Sequence, residues 1–150
     1  MRTLIFLLLS VSLQAQTLYV GVNHSRGPAS TMTEYGFGWT AGIAKLKFAQ
    51  PIGFLLATEV SSHSFEVENV KEELHSWQQR AGVELPVVFS DTEKLFLGAG
   101  YALQNFYGYE REFSFGYYAA LTVNPGRLIF RIEAVWGGVE SQRFLFGYLF

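Results

Sequence analysis

Two sets of residues in this chain have types and spacings that could carry chemistry. In the first, Ser61 and His63 stand two apart, His75 precedes Ser76, and Glu72 and Glu73 lie just before them. Acyl transfer needs a hydroxyl within hydrogen-bond reach of a base that a carboxylate orients, and these residue types meet that need. The second set is Glu59, Arg80, Glu84, Arg131, Glu133 and Arg143, three acids and three bases dispersed through otherwise apolar segments. An isolated charge inside a protein costs several kcal/mol, on the order of 3–5 when its partner is removed, so the second set reads as a mutually paired network. Other chemistries are excluded by composition. With no cysteine there is no disulfide, thiolate site or cysteine nucleophile, and three scattered His do not make a zinc site. A net charge of −2 provides no basic face for nucleic acid.

The elements that would position these residues are strands. At 150 residues the chain bounds to one domain, and its 17% aromatic content with 16% charge excludes a disordered polymer. From Thr17 onward the side chains alternate with period two in segments of about ten residues, the strand repeat. Phe113, Phe115, Tyr117, Ala119, Leu121 and Val123 share one face, opposite Ser114, Gly116, Tyr118, Ala120 and Thr122. Trp77 to Phe89 divides in the same way. So do Leu18 to Asn23, Tyr35 to Ala44, Ile52 to Ser61, Leu95 to Gln104, Leu128 to Gly137 and Gln142 to Phe150, which makes eight strands. Tight turns are expected at Ala49-Gln50-Pro51, Ser90 to Lys94 and Asn124 to Arg127. Longer polar loops are expected at His24 to Thr33, Ser62 to Ser76 and Asn105 to Glu112, with a short fourth at Gly138 to Ser141. Short turns at one end and longer loops at the other are the asymmetry of a membrane-spanning barrel.

An eight-stranded barrel can turn its apolar face inward, as a soluble carrier does, or outward into lipid. Gly36, Gly38, Gly42, Gly82, Gly98, Gly100, Gly116, Gly137 and Gly147 fall opposite the large apolar residues, on the same face as the six paired charges. A narrow lumen accepts small side chains and compensated charges, whereas Phe113, Phe115, Tyr117, Phe144, Phe146 and Tyr148 together would overfill it. The apolar face therefore points outward. Trp39, Trp77 and Trp136 fall near one rim with Tyr35, Phe37 and Phe113, and Phe54, Phe89 and Phe130 near the other. Such belts belong at the two headgroup levels of a spanning protein. Lys45 and Lys47 continue the outward phase, which requires either a bulge or snorkelling side chains. Pro86 lies within a strand and calls for a bulge.

Residues 1–15, MRTLIFLLLSVSLQA, have one early positive charge, a short apolar core and a small residue at the end, the layout of a secretory signal peptide cleaved after Ala15. Residues 16–150 would then form the barrel. At the other terminus Phe144, Phe146, Tyr148 and Phe150 alternate along RFLFGYLF. This resembles the terminal strand signal of bacterial outer-membrane barrels, which the barrel-assembly machinery reads. VELPVVF at 83–89 and LFLGAGY at 95–101 resemble a hairpin of the small OmpA-barrel and OmpX-like family. The resemblance implies an all-β, eight-stranded, antiparallel up-and-down transmembrane barrel, exported to the outer membrane of a Gram-negative cell. It implies outer-membrane lipids, lipopolysaccharide, the assembly machinery and periplasmic chaperones as partners, a monomeric state and no cofactor. No peptidoglycan-binding domain follows the barrel, so envelope tethering is not implied.

The expected function is that of a non-enzymatic surface protein with a plugged, charged lumen, stabilising the envelope or making contacts through its loops. Those loops carry Glu66, Glu68, Glu72, Glu73, Glu110, Glu112 and Glu140 against Arg26, Lys71 and Arg111, with Phe106, Tyr107 and Tyr109 as an aromatic tip. Some barrels of this size modify lipid A acyl chains with an exterior Ser and His, which makes the first residue set an alternative. Ser61, however, falls on the lumen face by parity. A narrow passive channel and a soluble lipocalin-like carrier are the remaining alternatives.

Overall fold

Alternation of large apolar and small or polar residues leaves each strand with two unlike faces, and closing the sheet sorts them into wall and lumen. The computed structural model describes residues 17–26, 35–67, 70–107 and 113–150. The expected signal peptide, Glu68, Tyr109, Glu110, Arg111 and Glu112 lie outside the described residues, as do the side chains of Tyr35, Glu66 and Glu72.

Eight strands are present: β1 (Thr17–Arg26), β2 (Tyr35–Lys47), β3 (Gly53–Val67), β4 (Val70–Phe89), β5 (Lys94–Tyr107), β6 (Phe113–Asn124), β7 (Leu128–Trp136) and β8 (Glu140–Leu149). Each pairs antiparallel with its sequence neighbours, and β1 pairs with β8, so no edge remains along the closed wall. Both termini of the barrel lie at one end, called here the terminal end; the opposite end is the far rim.

The outward positions are apolar and open. Phe37, Phe113 and Phe115 are 69%, 67% and 68% exposed, and Val20, Val22, Leu97, Tyr101, Ile132 and Phe144 are likewise exposed. The lumen is layered along the barrel axis. Leu46, Leu55, Ile129 and Leu145 form an apolar floor toward the terminal end. The charged layer comes next, and beyond it Asn23, Thr40, Ser61, Gln78 and Gln104 are buried. Phe65, Leu74, Phe106 and Val139 close the lumen toward the far rim.

Two local expectations change, and at Lys45 one of two alternatives is decided. The polar stretch Ser62 to Ser76 is not a loop: β3 and β4 continue to Val67 and Val70 as one long hairpin. Once the wall is closed, the backbone pairing of β3 and β4 propagates outward, and Phe65 and Leu74 bury their side chains at the inward positions of that hairpin. The hairpin stands above the low β7–β8 turn, where Gly137 and Gly138 take the left-handed backbone that glycine tolerates. Phe106 does not form a surface tip; it is buried in the lumen with Phe65, because β5 also runs on to Tyr107. At Lys45 there is no bulge. The register runs unbroken through Lys45↔Leu56 and Lys47↔Phe54, Leu46 is buried and the lysines point outward at the terminal end. Pro86 does mark a register shift, between Pro86 and Val88, which removes the demand for a ladder hydrogen bond that proline cannot donate.

Glycine placement is specific where a ring needs the space. Gly82, Gly100 and Tyr118 sit side by side in register across β4, β5 and β6. A Cβ on Gly82 would meet Tyr118 Cζ at 2.9 Å, so the bare backbone lets the tyrosine ring lie across the lumen.

Candidate functional site

The six charges come from four strands, all at inward positions: Glu59 from β3, Arg80 and Glu84 from β4, Arg131 and Glu133 from β7 and Arg143 from β8. The closed barrel brings them together. Arg80 Nη2 donates to Glu59 Oε2 at 2.6 Å, and its Nη1 pairs with Glu133. Arg131 bridges Glu84 at 2.7 Å and Glu133 at 2.9 Å, while Arg143 pairs with Glu59. Every member is at most 4% exposed, so the charges exchange water almost wholly for one another. Neutral partners hold further positions of the network, while Arg80 Nε, Glu84 Oε2 and Arg131 Nη2 are buried without a hydrogen bond. Tyr19 hydroxyl donates to Glu59 at 2.7 Å, Arg131 donates to Thr122 Oγ1 at 2.6 Å, and Arg143 donates to Ser141 Oγ at 2.9 Å and Gln78 Oε1 at 3.0 Å. The Arg80 guanidinium also lies 5.5 Å from the centre of the Tyr118 ring, a cation–π distance.

Tyr19 and Tyr118 were not singled out from the sequence as network members. For Tyr118 a signal existed in the adjacent glycines; for Tyr19 only its strand parity marked the lumen side. The remaining void between the apolar floor and Arg80 and Arg131 is about 20 Å³, room for about one water.

The hydroxyl and imidazole residues sort differently from the spacing in the sequence. Ser61 bonds Thr40 at 2.7 Å inside the lumen. His63, also inside, lies 2.5 Å through Nδ1 from Ser25 Oγ, which also donates to Asn23 Oδ1 at 3.0 Å. Ser76 faces inward and accepts from Gln78 at 3.2 Å, while its neighbour His75 faces outward. Neither Ser61 with His63 nor His75 with Ser76 forms a working pair, because adjacent residues of a strand face opposite ways and Ser25 intercepts His63. On the outward-facing side a different set lies in register, with Ser62 covered at 7% exposed. His75 Nε2 is 3.7 Å from Glu73 Oε2, and Ser62 is the register partner of His75 across β3 and β4. Trp39 flanks Ser62 on β2, and Tyr107 flanks His75 on β5.

The three tryptophans face outward. Trp39 and Trp136 are 52% and 37% exposed, and Trp136 stacks on Tyr117 at 5.5 Å. Trp77 pairs in register with Val60 and Asn105. On β8, Phe144, Phe146 and Tyr148 line the outside of the seam with β1, and Phe150 ends the chain 75% exposed, 5.2 Å from the Tyr148 ring.

A closed antiparallel wall with an apolar exterior and a filled lumen defines the protein as a small eight-stranded barrel of the outer-membrane type. Solved structures carry the same fold. The outer-membrane enzyme PagL superposes with a TM-score of 0.59 at 12% identity, covering 89% of this chain and 98% of that one. Ail, the attachment invasion locus protein of Yersinia pestis, superposes with a TM-score of 0.51 at 18% identity, covering 89% and 97%. Ail in complex with the heparin analogue sucrose octasulfate gives 0.50 at the same identity and coverage. No protein-family model matches the chain, and no curated protein matches it. At these identities the likeness is one of fold.

Proposed function

We propose that the protein is an exported, monomeric outer-membrane barrel without enzymatic activity, whose plugged lumen blocks passage and whose far rim presents its loops outside the cell. The observation that carries this reading is the inversion of polarity: large apolar side chains are open on the outside while the charges are buried at the centre. Lipid is the solvent that such a wall fits. Outer-membrane lipids and lipopolysaccharide would surround it, the Trp39, Trp77 and Trp136 belt would sit at the outer headgroups, and periplasmic chaperones and the assembly machinery would deliver it through Phe144, Phe146, Tyr148 and Phe150. A soluble carrier would need the opposite polarity, and a channel would need a continuous water path through the ion pairs. The role is envelope stabilisation or surface contact through the rim.

Expression with the native leader in a Gram-negative host, followed by fractionation, tests this directly. The protein is expected in the outer membrane, with different electrophoretic mobility before and after boiling. Recovery as a soluble periplasmic protein would overturn the reading, and steady conductance in planar bilayers would overturn the plugged lumen.

A second reading rests on Ser62, His75 and Glu73. His75 and Glu73 are open on the exterior, Ser62 lies covered on the same outward side at 7% exposed, and an acyl ester of an outer-leaflet lipid would reach Ser62 by displacing that cover beside Trp39. Ser62 Oγ would attack the ester carbonyl, His75 would take its proton and return it to the departing alcohol, and water would then release the acyl group from Ser62. Overexpression would shorten lipid A by one acyl chain in the mass spectrum, and Ser62→Ala would abolish that change. Unchanged lipid A on overexpression of the wild-type protein sinks this second reading.

A further inference from the structure

At the terminal end two cations stand side by side on an otherwise apolar strip of the outer wall. Lys45 and Lys47 occupy successive outward positions of β2, Lys47 exposed and Lys45 half-buried. We propose that together they hold the phosphate of an anionic glycerophospholipid of the phosphatidylglycerol type, in the leaflet that surrounds the terminal end.

The register places no acid beside either lysine. Lys45 is opposite Leu56 and Lys47 opposite Phe54, while the preceding outward residue, Ile43, stands between Leu18 and Thr58. Among the described residues the acids of this end outside the lumen are Asp91 and Glu93, in the turn that joins β4 to β5, and β3 lies between that turn and β2. The other cations of the terminal end are engaged within the chain. Lys94 lies 5.3 Å from the centre of the Phe89 ring, and Arg127 donates to the Tyr148 hydroxyl at 3.3 Å. Lys45 and Lys47 are thus a doubled positive charge whose compensation comes from the headgroup layer.

Successive outward positions of a strand lie about 6.5–7 Å apart, and the four-carbon stems let both ammonium groups turn onto one phosphate. Hydrocarbon surface begins at once on the membrane side of the pair. Leu56 and Val60 are exposed on β3, next to Ile43 and Ala41 on β2, so acyl chains continue along the same strip as the headgroup. A zwitterionic headgroup brings its own cation, which two adjacent lysines repel. A phosphodiester that ends in glycerol keeps its single negative charge, and lysines at a membrane surface favour such lipids. The site rests on the membrane reading proposed above: with the far rim outside the cell, the terminal end stands in the periplasmic leaflet, which is built of glycerophospholipids and not of lipopolysaccharide.

A local reporter tests it. Phe54→Trp, in a chain carrying Trp39→Phe, Trp77→Phe and Trp136→Phe, puts the sole indole opposite Lys47. The protein is reconstituted into phosphatidylcholine vesicles doped equally with brominated phosphatidylglycerol, phosphatidylethanolamine or phosphatidylcholine, with bromine high on the acyl chains. Phosphatidylglycerol is expected to quench with an apparent affinity about fivefold above the other two lipids. Raising the salt from about 0.1 to about 1 M shortens the screening length from about 10 to about 3 Å and should remove most of that preference. Lys45→Gln with Lys47→Gln should abolish it, and Lys45→Arg with Lys47→Arg should retain it. Equal quenching by the three lipids, or a preference that survives the double glutamine variant, would overturn the site. The chain without reporter substitutions gives a second measurement: native mass spectrometry of protein released from mixed vesicles should show phosphatidylglycerol retained over phosphatidylethanolamine, and the double glutamine variant should lose the difference. Equal retention by a barrel that still shows heat-dependent mobility would overturn this site and leave the membrane reading standing. Loss of that mobility shift in the wild-type chain would overturn both.

Discussion

Replacing Arg80 with Met is expected to destabilise the folded barrel by about 3–5 kcal/mol, the cost of removing one partner from a buried ion pair. Arg80 faces both Glu59 and Glu133, and all three side chains are at most 1% exposed. Without the guanidinium the lumen holds three carboxylates against Arg131 and Arg143, at positions buried from bulk solvent. The double variant Arg80→Met with Glu133→Gln restores neutrality and is expected to recover part of the loss, since neutral groups of similar shape tolerate burial better than an orphan charge. Urea titration of folding into lipid vesicles reads both values. A change below about 0.5 kcal/mol for Arg80→Met would mean that the network contributes little to holding the lumen together.

Ile132→Arg is the second large effect, expected at about 2–4 kcal/mol for a cation on the lipid face at the bilayer midplane. Ile132 is the middle residue of β7, 52% exposed, with Phe144 and Leu121 as its register partners. Lys45 and Lys47 already stand on the same outer surface, but at the terminal end, where a long side chain can reach the headgroups. The contrast in depth is the point of the experiment. In lipid vesicles Ile132→Arg should fold poorly, while Lys45→Leu should leave the urea midpoint nearly unchanged. If both substitutions are equally neutral, the outer wall does not face hydrocarbon.

The two substitutions act on opposite faces of one wall, and the sequence distinguished those faces without reference to contacts. Phe113 to Val123 alternates so regularly that its lumen side, Ser114 to Thr122, follows from parity alone. Polar composition misplaced the strand ends at the far rim, where the alternation itself continues. Ser62 to Ser76 is polar and was expected to be a loop, yet it continues as β3 and β4, since pairing there is set by the partner strand and by the burial of Phe65 and Leu74. Phe106 changed for the same reason: it was placed in a loop with Tyr107, whereas β5 runs on to Tyr107 and gives Phe106 the inward phase of Gln104.

By itself the sequence determined the strand number, the inward phase of Glu59, Arg80, Glu84, Arg131, Glu133 and Arg143, and the outward phase of the three tryptophans. These are properties of alternation, and alternation is local. Only the tertiary structure decided which hydroxyl meets which imidazole, that Arg26 faces Glu140, and that Tyr118 lies over Gly82. Those juxtapositions depend on the stagger between strands, and a shift of one residue in register would exchange every one of them for another.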